Sequence, residues 1–410
     1  MSNESGGRPA KWDIGVLHGF RAIMVLLVAN FHIWQQGWLW QTFRIGPLTL
    51  ELDFLTRSSY IFVDGMILLS SFLLFLPYAR AMEEPYPLPK TGDFYLTRLA
   101  RIVPSYVASV LLMLFLVAIP QKLFHSSQAL HLDLWTHLTF THTFFRAPYQ
   151  YSQINGVLWT VVIEMQMYLL FPLIGRLAKR QPAWTLIVLT ALGWLYRAVV
   201  YYRVEDTSML INQLPAFLDV YAIGMLGAII YCKLRKVLGD PDGRQSPVIR
   251  LSGLMLFAAG LVLITCILRL QSSEGVKGFT ELRLGQLRYR LPLALSLMAC
   301  MLGAMFMPGA FRWLLSNRLM RFLAAISYNF YIWHQVLAVQ IARHWFPEGF
   351  PQVAERNLQW AFTVLCFSLS TLVAMAFTYG LEQPCTKWIR KSVKRLAAKN
   401  NHSANEECCK

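Results

Sequence analysis

The chain has 410 residues, of which 56% are hydrophobic and only 15% are charged. With a mean hydropathy of +0.42, it is too apolar for an ordinary water-soluble protein of this size. The formal net charge of +16 would suit a nucleic-acid-binding protein, but with a cytoplasmic N-terminus and ten helices most of the basic residues fall on the inner side of the membrane. This distribution indicates an integral membrane protein and no nucleic-acid partner.

Apolar runs of about 20 residues, the length that crosses a bilayer, recur along most of the chain. They are too long and too continuously apolar for alternating barrel strands, so we predict an all-α polytopic membrane protein. About ten transmembrane helices would enclose a polar cavity. The ten predicted helices lie at 16–40, 59–79, 99–120, 157–175, 183–201, 214–232, 250–270, 289–308, 320–342 and 359–381.

The positive-inside rule places both termini in the cytoplasm. We predict a cytoplasmic segment 1–15, a transmembrane domain 16–385 and a basic cytoplasmic tail 386–410 that meets anionic lipid headgroups. Within the domain, segment 121–156 lies on the outer face and could be re-entrant. The first apolar run lacks a cleavage site of small residues, so we expect a retained helix and not a signal peptide.

The first apolar run, "RAIMVLLVANFH", carries two polar residues, Arg21 and His32. Eleven residues amount to three helical turns, so both side chains would share one helix face, about 16 Å apart. Arg21 would lie near the cytoplasmic boundary, where it can bind an anion. His32 would lie deeper, and a histidine can act there as a general base.

Three further polar residues interrupt apolar runs: Asp64, Glu164 and His334. An unpaired carboxylate in the membrane costs several kcal/mol, so the two acids are expected to meet a cation or a histidine, or to stay protonated. Together with His32 they suggest a shared polar cavity. An alternative function follows from the same residues, because buried Asp, Glu and His side chains could form the proton relay of a secondary transporter.

The motif "RLAR" places Arg98 and Arg101 on one helix face at the cytoplasmic start of the third helix. Two planar guanidinium groups suit a phosphate clamp. The seven cysteines form no CxxC pair, and the histidines of 121–156 lack the spacing of a helical metal site. We therefore expect no metal and no bound cofactor.

Several motifs together resemble the acyltransferase-3 family of integral membrane O-acyltransferases. They follow one another in the family's order: "GFRAIMVLLVANFH", "FVDGMILLSSFLL", "RLARIVPSY", "INGVLWTVVIEMQMYLLFPL" and "ISYNFYIWH". The sequence departs from the family pattern at His18, Ser71 and Met165. These changes bear on substrate preference more than on the class of reaction.

The resemblance implies transfer of an acyl group, usually acetyl, from cytoplasmic acyl-coenzyme A to a hydroxyl at the outer face. Arg21, Arg98 and Arg101 would bind the donor's phosphates. His32 would act as a general base or carry the acyl group, and Glu164 would orient His32 or help to activate the acceptor.

The resemblance also implies residues that line the cavity or contact the acceptor: Asp64, Asn155, Trp159, Tyr328 and His334. Since no second domain follows the membrane domain in this sequence, we expect a glycan or lipid-linked saccharide as the acceptor. The resemblance further implies a bacterial inner membrane as the location.

Overall fold

The computed structural model describes residues 12–347 and 355–393. Most of the predicted cytoplasmic segment 1–15 and of the basic tail 386–410 lies outside these residues. The described chain is almost entirely helical, and its only strands form one hairpin, β1 (Thr42–Ile45) with β2 (Leu48–Glu51). The predicted all-α class is therefore confirmed, and the hairpin is an addition that the apolar pattern did not indicate.

Fourteen α-helices follow one another in the described residues. They are α1 (Val16–Gly37), α2 (Asp53–Ser58), α3 (Phe62–Glu83), α4 (Thr91–Met113), α5 (Ser127–Leu138), α6 (Arg146–Gln150), α7 (Trp159–Arg180), α8 (Pro182–Arg203), α9 (Leu218–Leu238), α10 (Pro247–Lys277), α11 (Phe279–Phe306), α12 (Gly309–Ser316), α13 (Arg318–Trp345) and α14 (Arg356–Phe377). Two π-helical segments, Leu114–Ala118 and Thr378–Glu382, continue α4 and α14.

Within the described residues, nine helices are long and apolar enough to cross a membrane. They include nine of the ten predicted helices. The tenth, predicted at 320–342, forms the 28-residue helix α13 but is not among the nine. Asn329, His334 and Gln335 make α13 less apolar than its neighbours, and all three have polar contacts inside the bundle.

Close backbone contact joins α10 and α11. A Cβ atom added at Gly303 would lie 2.7 Å from the carbonyl oxygen of Gly253, a distance that no side chain tolerates. Small residues at helix contacts are typical of membrane bundles, because apolar side chains gain little by leaving lipid and close packing supplies the attraction. The two glycines thus fix the spacing of this helix pair.

Five helices position the candidate site: α1, α3, α4, α7 and α13. Helices α1 and α13 pack along each other, and α4 and α7 contact one another beside them. Segment 121–156 forms α5 and α6 and packs on α4, where the Tyr106 hydroxyl donates to the His137 carbonyl at 3.0 Å.

Candidate active site

Three arginines line two neighbouring spaces in the bundle. Arg21 of α1 and Arg98 and Arg101 of α4 line both a central cavity and a wider pocket at one end of the bundle. We call these the central cavity and the arginine-end pocket. The structure thus brings together the three arginines that the sequence analysis selected.

The arginine-end pocket has a volume of about 800 Å³, a size typical of small-molecule sites. His18, Tyr86 and Lys90 also line it. The central cavity is smaller, about 130 Å³, and is mostly apolar apart from the arginines and a few polar side chains. A bulky anionic group fits the arginine-end pocket, and a slender chain fits the central cavity.

Glu164 lines the central cavity from α7. Its Oε2 accepts a hydrogen bond of 3.2 Å from the Tyr168 hydroxyl, and all three arginines are close enough to act electrostatically on its carboxylate. The structure therefore places Glu164 with the arginines. Within the described chain no hydrogen bond joins Glu164 to His32, whose Nδ1 atom meets Gln35 and Gln335 instead.

Glu382 belongs to the same cluster, although the sequence analysis missed it. It ends the π-helical segment Thr378–Glu382, and its Oε1 lies 3.7 Å from Nε of Arg101. Its Oε2 accepts a hydrogen bond of 2.7 Å from Asn329. The available signal was an acidic residue directly after the last predicted helix, 359–381, and still inside the predicted transmembrane domain.

His32 lies on α1 beyond the cavity-lining Arg21 and Val25, and two amide side chains meet its Nδ1 atom. Gln35 Oε1 is 3.0 Å from Nδ1, and Gln335 Nε2 of α13 is 3.2 Å from it. The His334 ring lies beside the His32 ring, with 5.2 Å between centroids. Neither glutamine was selected from the sequence, because only residues that can carry a charge were considered within the apolar runs.

His334 is completely buried, and one of its ring nitrogens donates a hydrogen bond to the backbone. Nδ1 lies 2.7 Å from the Tyr331 carbonyl oxygen, which only accepts, so Nδ1 carries a proton. Nε2 is buried without a hydrogen-bond partner in the described residues. Buried polar atoms are normally paired, so this atom requires an explanation.

A third space lies beside the C-terminal part of α1, the C-terminal end of α4 and the C-terminal half of α13. We call it the glutamine pocket, and it has a volume of about 600 Å³. Its polar lining includes the side chains of Gln36, Gln153, Asn155, Gln335, Gln340 and Arg343. Gln335 contacts both this pocket and His32, whereas His32 itself is not among the residues that line the glutamine pocket or the central cavity.

The other residues selected from the sequence have different surroundings. Tyr328 lines the cavity and donates to the Ile102 carbonyl at 2.9 Å. The buried Asn155 donates to Ser109 and to the Ile332 carbonyl, so its amide holds α4 and α13 together. Trp159 packs against Phe217, with ring centroids 6.1 Å apart.

Asp64 does not line the central cavity. It forms a buried ion pair with Arg290 of α11, whose Nε donates to Asp64 Oδ2 at 3.0 Å. A second buried pair, Arg197 with Asp219, lies beside it, and both arginines also donate to the Ala216 carbonyl. The cation that the sequence analysis expected for Asp64 is thus Arg290.

Outside the membrane-spanning segments, His137 and His142 stack in parallel with 3.9 Å between ring centroids. Burial, and then the neighbouring His137, lower the pKa of His142 to about 2. Among residues 12–347 and 355–393, no three His, Cys, Asp or Glu side chains are grouped as a metal ion would require.

Comparison with known proteins identifies the family. A family model described as an acyltransferase domain matches residues 14–379, which include all the residues selected from the sequence. A protein of Acidianus two-tailed virus, described as a candidate acetyltransferase (ORF330), is 27% identical over 219 residues. The match covers 53% of this chain and 57% of that relative, so the chain spans little more than half of the relative's length. No solved structure matches. Because the family model spans most of the sequence, the chain belongs to the acyltransferase-3 family, and it has the apolar helices of a multi-pass membrane protein.

Proposed function

We propose that the protein is a membrane O-acyltransferase that moves an acyl group, acetyl above all, from acyl-coenzyme A to a hydroxyl of a carbohydrate or lipid-linked glycan. The observation that carries this proposal is that Arg21, Arg98 and Arg101 line both a pocket of about 800 Å³ and a cavity of about 130 Å³. In an acyltransferase, such an arrangement suits a donor with an anionic head and a slender thioester arm.

The nucleotide end of the donor would occupy the arginine-end pocket, with its phosphates on the guanidinium groups. The thioester arm would pass through the central cavity toward His32. Arg21 and His32 are about 16 Å apart along α1, a separation that an extended pantetheine arm can bridge. Because the volume of the cavity is only about 130 Å³, it would exclude the nucleotide and admit the arm alone.

His32 would act as the general base. It would take the proton of the acceptor hydroxyl while the hydroxyl oxygen attacks the thioester carbon. The carbon–sulfur bond then breaks, and the proton passes to the departing thiolate, so that the products are the ester and free coenzyme A. In the other route, His32 first carries the acyl group, and a single-turnover experiment would detect that intermediate.

The acceptor would reach His32 from the glutamine pocket. Carboxamide side chains offer both donors and acceptors without a formal charge, which suits sugar hydroxyls. With both termini in the cytoplasm, the arginine-end pocket would face the cytoplasmic donor and the glutamine pocket the outer side. On this proposal the protein resides in a bacterial inner membrane.

The test compares the parent protein with His32→Ala in detergent, supplied with radiolabelled acetyl-coenzyme A. Free thiol and label on extracted lipids and glycans are followed together. The matched control is His131→Ala, because His131 is exposed and lies outside the site. We expect His32→Ala to lose acyl transfer by a factor on the order of 10² to 10⁴, while His131→Ala keeps it.

Binding provides the second readout. Coenzyme A should raise the melting temperature of both the parent protein and His32→Ala, because a ligand that binds only the folded state stabilises it. Folded parent protein with neither thiol release nor stabilisation would contradict the proposal and favour a proton-coupled transporter. Equal transfer by parent and His32→Ala would contradict the role of His32.

A further inference from the structure

The glutamine pocket contains one formal charge. Among the described residues that line it, Arg343 of α13 is the only one with a charged side chain, and none of the others is acidic. A neutral sugar needs hydrogen-bond partners, which the surrounding amides already supply. An unbalanced positive charge in the pocket proposed to admit the acceptor therefore bears on which acceptor can enter.

An amide side chain holds Arg343 in place and leaves its charge uncompensated. Nη1 of Arg343 donates to Oε1 of Gln121. Nε2 of Gln121 in turn donates to Oε1 of Gln340 at 3.0 Å and lies 3.3 Å from Nε2 of His344. In the described residues Arg343 has no ion pair, in contrast to Arg146 of the outer segment, which pairs with Asp206.

A tight turn after α4 positions Gln121. The π-helical segment Leu114–Ala118 is followed by a turn in which the Gln121 N–H donates to the Val117 carbonyl at 3.0 Å. Lys122 has a φ of 51°, in the left-handed region that residues other than glycine rarely adopt. Such a conformation persists where the surrounding structure holds it, so the contact between Gln121 and Arg343 is a defined feature of this end of the bundle.

Most of the donors of Arg343 remain available for a ligand. A guanidinium group has five N–H bonds, and the contact with Gln121 uses one of them. The planar fork matches a carboxylate or a phosphate, which can accept two parallel hydrogen bonds. Gln340 lines the pocket beside Arg343 and accepts from Gln121 through Oε1, so its amide nitrogen can donate to the same ligand.

Helix geometry gives the spacing between this cation and His32. Gln335, whose Nε2 lies 3.2 Å from Nδ1 of His32, and Arg343 are eight residues apart on α13. Eight residues rise about 12 Å along a helix axis. Because both side chains line the glutamine pocket, a ligand that bridges them would carry its acidic group roughly 12 Å from the hydroxyl beside His32.

We propose that the acceptor is an acidic saccharide, and that Arg343 is the specificity-determining residue that binds its carboxylate or phosphate in the glutamine pocket. This inference rests on the proposed function, because it takes the glutamine pocket as the acceptor site. The acidic group would be a carboxylate of a sugar or a phosphate that links the sugar to a lipid. Either group would supply the counter-charge that a neutral saccharide lacks.

The first test measures binding and needs no acyl transfer. Lactobionate and lactitol are disaccharides of nearly equal size, and they differ in a carboxylate against a hydroxymethyl group. Their dissociation constants are measured by calorimetry, with excess coenzyme A present to fill the arginine-end pocket. We expect the parent protein to bind lactobionate about tenfold more tightly than lactitol, because the charged group gains hydrogen bonds to a guanidinium. Maltose 1-phosphate against maltose tests a phosphate in the same way, and the larger preference identifies the source of the acid.

Three variants separate the role of Arg343 from a general effect of charge. Arg343→Gln should bind the acidic and the neutral disaccharide equally. Arg343→Lys keeps the charge without the planar fork and should retain a preference of about threefold. The matched control is Arg146→Gln, which should keep the full preference because Arg146 lies outside the glutamine pocket.

The second test identifies the product of transfer. Label passed from radiolabelled acetyl-coenzyme A to extracted lipids and glycans is separated by anion exchange. We expect the labelled product in the retained fraction, and its partition between organic solvent and water distinguishes a lipid phosphate from a free acidic glycan. Arg343→Gln should raise the KM for that product's precursor about tenfold and leave the KM for acetyl-coenzyme A unchanged.

Three results would overturn the inference. The parent protein could bind neither acid more tightly than its neutral counterpart, the preference could persist in Arg343→Gln, or the labelled product could be neutral. Failure of the proposed function is a different result, in which the parent protein releases no thiol and is not stabilised by coenzyme A. A preference for acids that Arg343→Gln abolishes would then still establish an acidic-saccharide site in the glutamine pocket.

Discussion

Two clusters of charged side chains lie within the membrane-spanning part of the protein, and they differ in charge balance and in access. The first contains two arginines and two aspartates, in the pairs Arg290–Asp64 and Arg197–Asp219. Every side chain in it is at most 5% exposed. Positive and negative charges are equal in number, so nothing remains to attract an ionic ligand.

The second cluster, the arginine junction, contains three guanidinium groups and the carboxyl groups of Glu164 and Glu382. It has an excess of positive charge, and its arginines line two neighbouring spaces. A charge inside a membrane protein therefore does not by itself indicate a functional site. Excess charge beside a cavity is the informative combination, and the balanced cluster serves to hold helices together.

The largest expected effect comes from breaking the balanced cluster. Arg290→Met leaves the Asp64 carboxylate buried without its partner, and loss of one member of a buried pair costs about 3–5 kcal/mol. We expect a corresponding drop in the free energy of unfolding, measured by denaturation in detergent.

The matched control is Arg98→Met, which we expect to leave the stability of the ligand-free protein nearly unchanged. The double variant Asp64→Leu with Arg290→Met should recover much of the lost stability, because no unpaired charge remains. If Arg98→Met were as destabilising as Arg290→Met, the two clusters would not differ as described.

The next largest expected effect is on the binding of acetyl-coenzyme A at the arginine junction. Arg98→Ala removes one guanidinium group from the proposed phosphate site, and a hydrogen bond to a charged group contributes about 1.5–3 kcal/mol. We expect the KM for acetyl-coenzyme A to rise about 10- to 100-fold. Arg146→Ala is the control, since Arg146 is exposed and pairs with Asp206 away from the junction. An unchanged KM for Arg98→Ala would remove Arg98 from the donor site.

Relationships within one helix could be predicted from the sequence. Hydropathy located ten helices, and helical spacing placed Arg98 beside Arg101 and Arg21 on the face of His32. The reason is that the α-helix has a fixed geometry, so residues a known number of positions apart have a known relative orientation.

Relationships between helices could not be predicted in this way. The sequence did not indicate Arg290 as the partner of Asp64, which lies 226 residues away, or Gln335 as the partner of His32, 303 residues away. Such pairs depend on which helices pack together, and the hydrophobic pattern of each helix is compatible with many arrangements. Glu382 was missed for a different reason, because the π-helical segment turns a residue at the helix end toward Arg101.

The buried histidines His137 and His142 lie outside the membrane-spanning segments, and they predict that the free energy of unfolding depends on pH. His142 has a pKa lowered to about 2 by burial and by His137, against about 6.5 in an unfolded chain. The unfolded state therefore binds more protons below pH 6.5. The contribution of neutral His142 to stability is fully present above that pH and decreases as the pH falls. At pH 5 the loss amounts to about 2 kcal/mol.

The variant His142→Phe should keep the stacking on His137 and reduce this pH dependence. The measurement is the free energy of unfolding of the parent protein and of His142→Phe at pH 7 and at pH 5. Equal losses in both proteins on acidification would show that His142 does not titrate during unfolding.

The smallest effect tests how Glu382 acts on the arginine junction. Its Oε1 lies 3.7 Å from Arg101 Nε, too far for a direct hydrogen bond, so the carboxylate acts on Arg101 through its charge. Glu382→Gln retains an oxygen that can accept from Asn329 and removes the negative charge. A partly solvated ion pair contributes about 0.2–1 kcal/mol, so the KM for acetyl-coenzyme A should fall by up to about fivefold. The difference should disappear at high ionic strength, where charges are screened. A rise in KM would instead show that Glu382 positions Arg101, and the excess of positive charge would then matter less than the orientation of each guanidinium group.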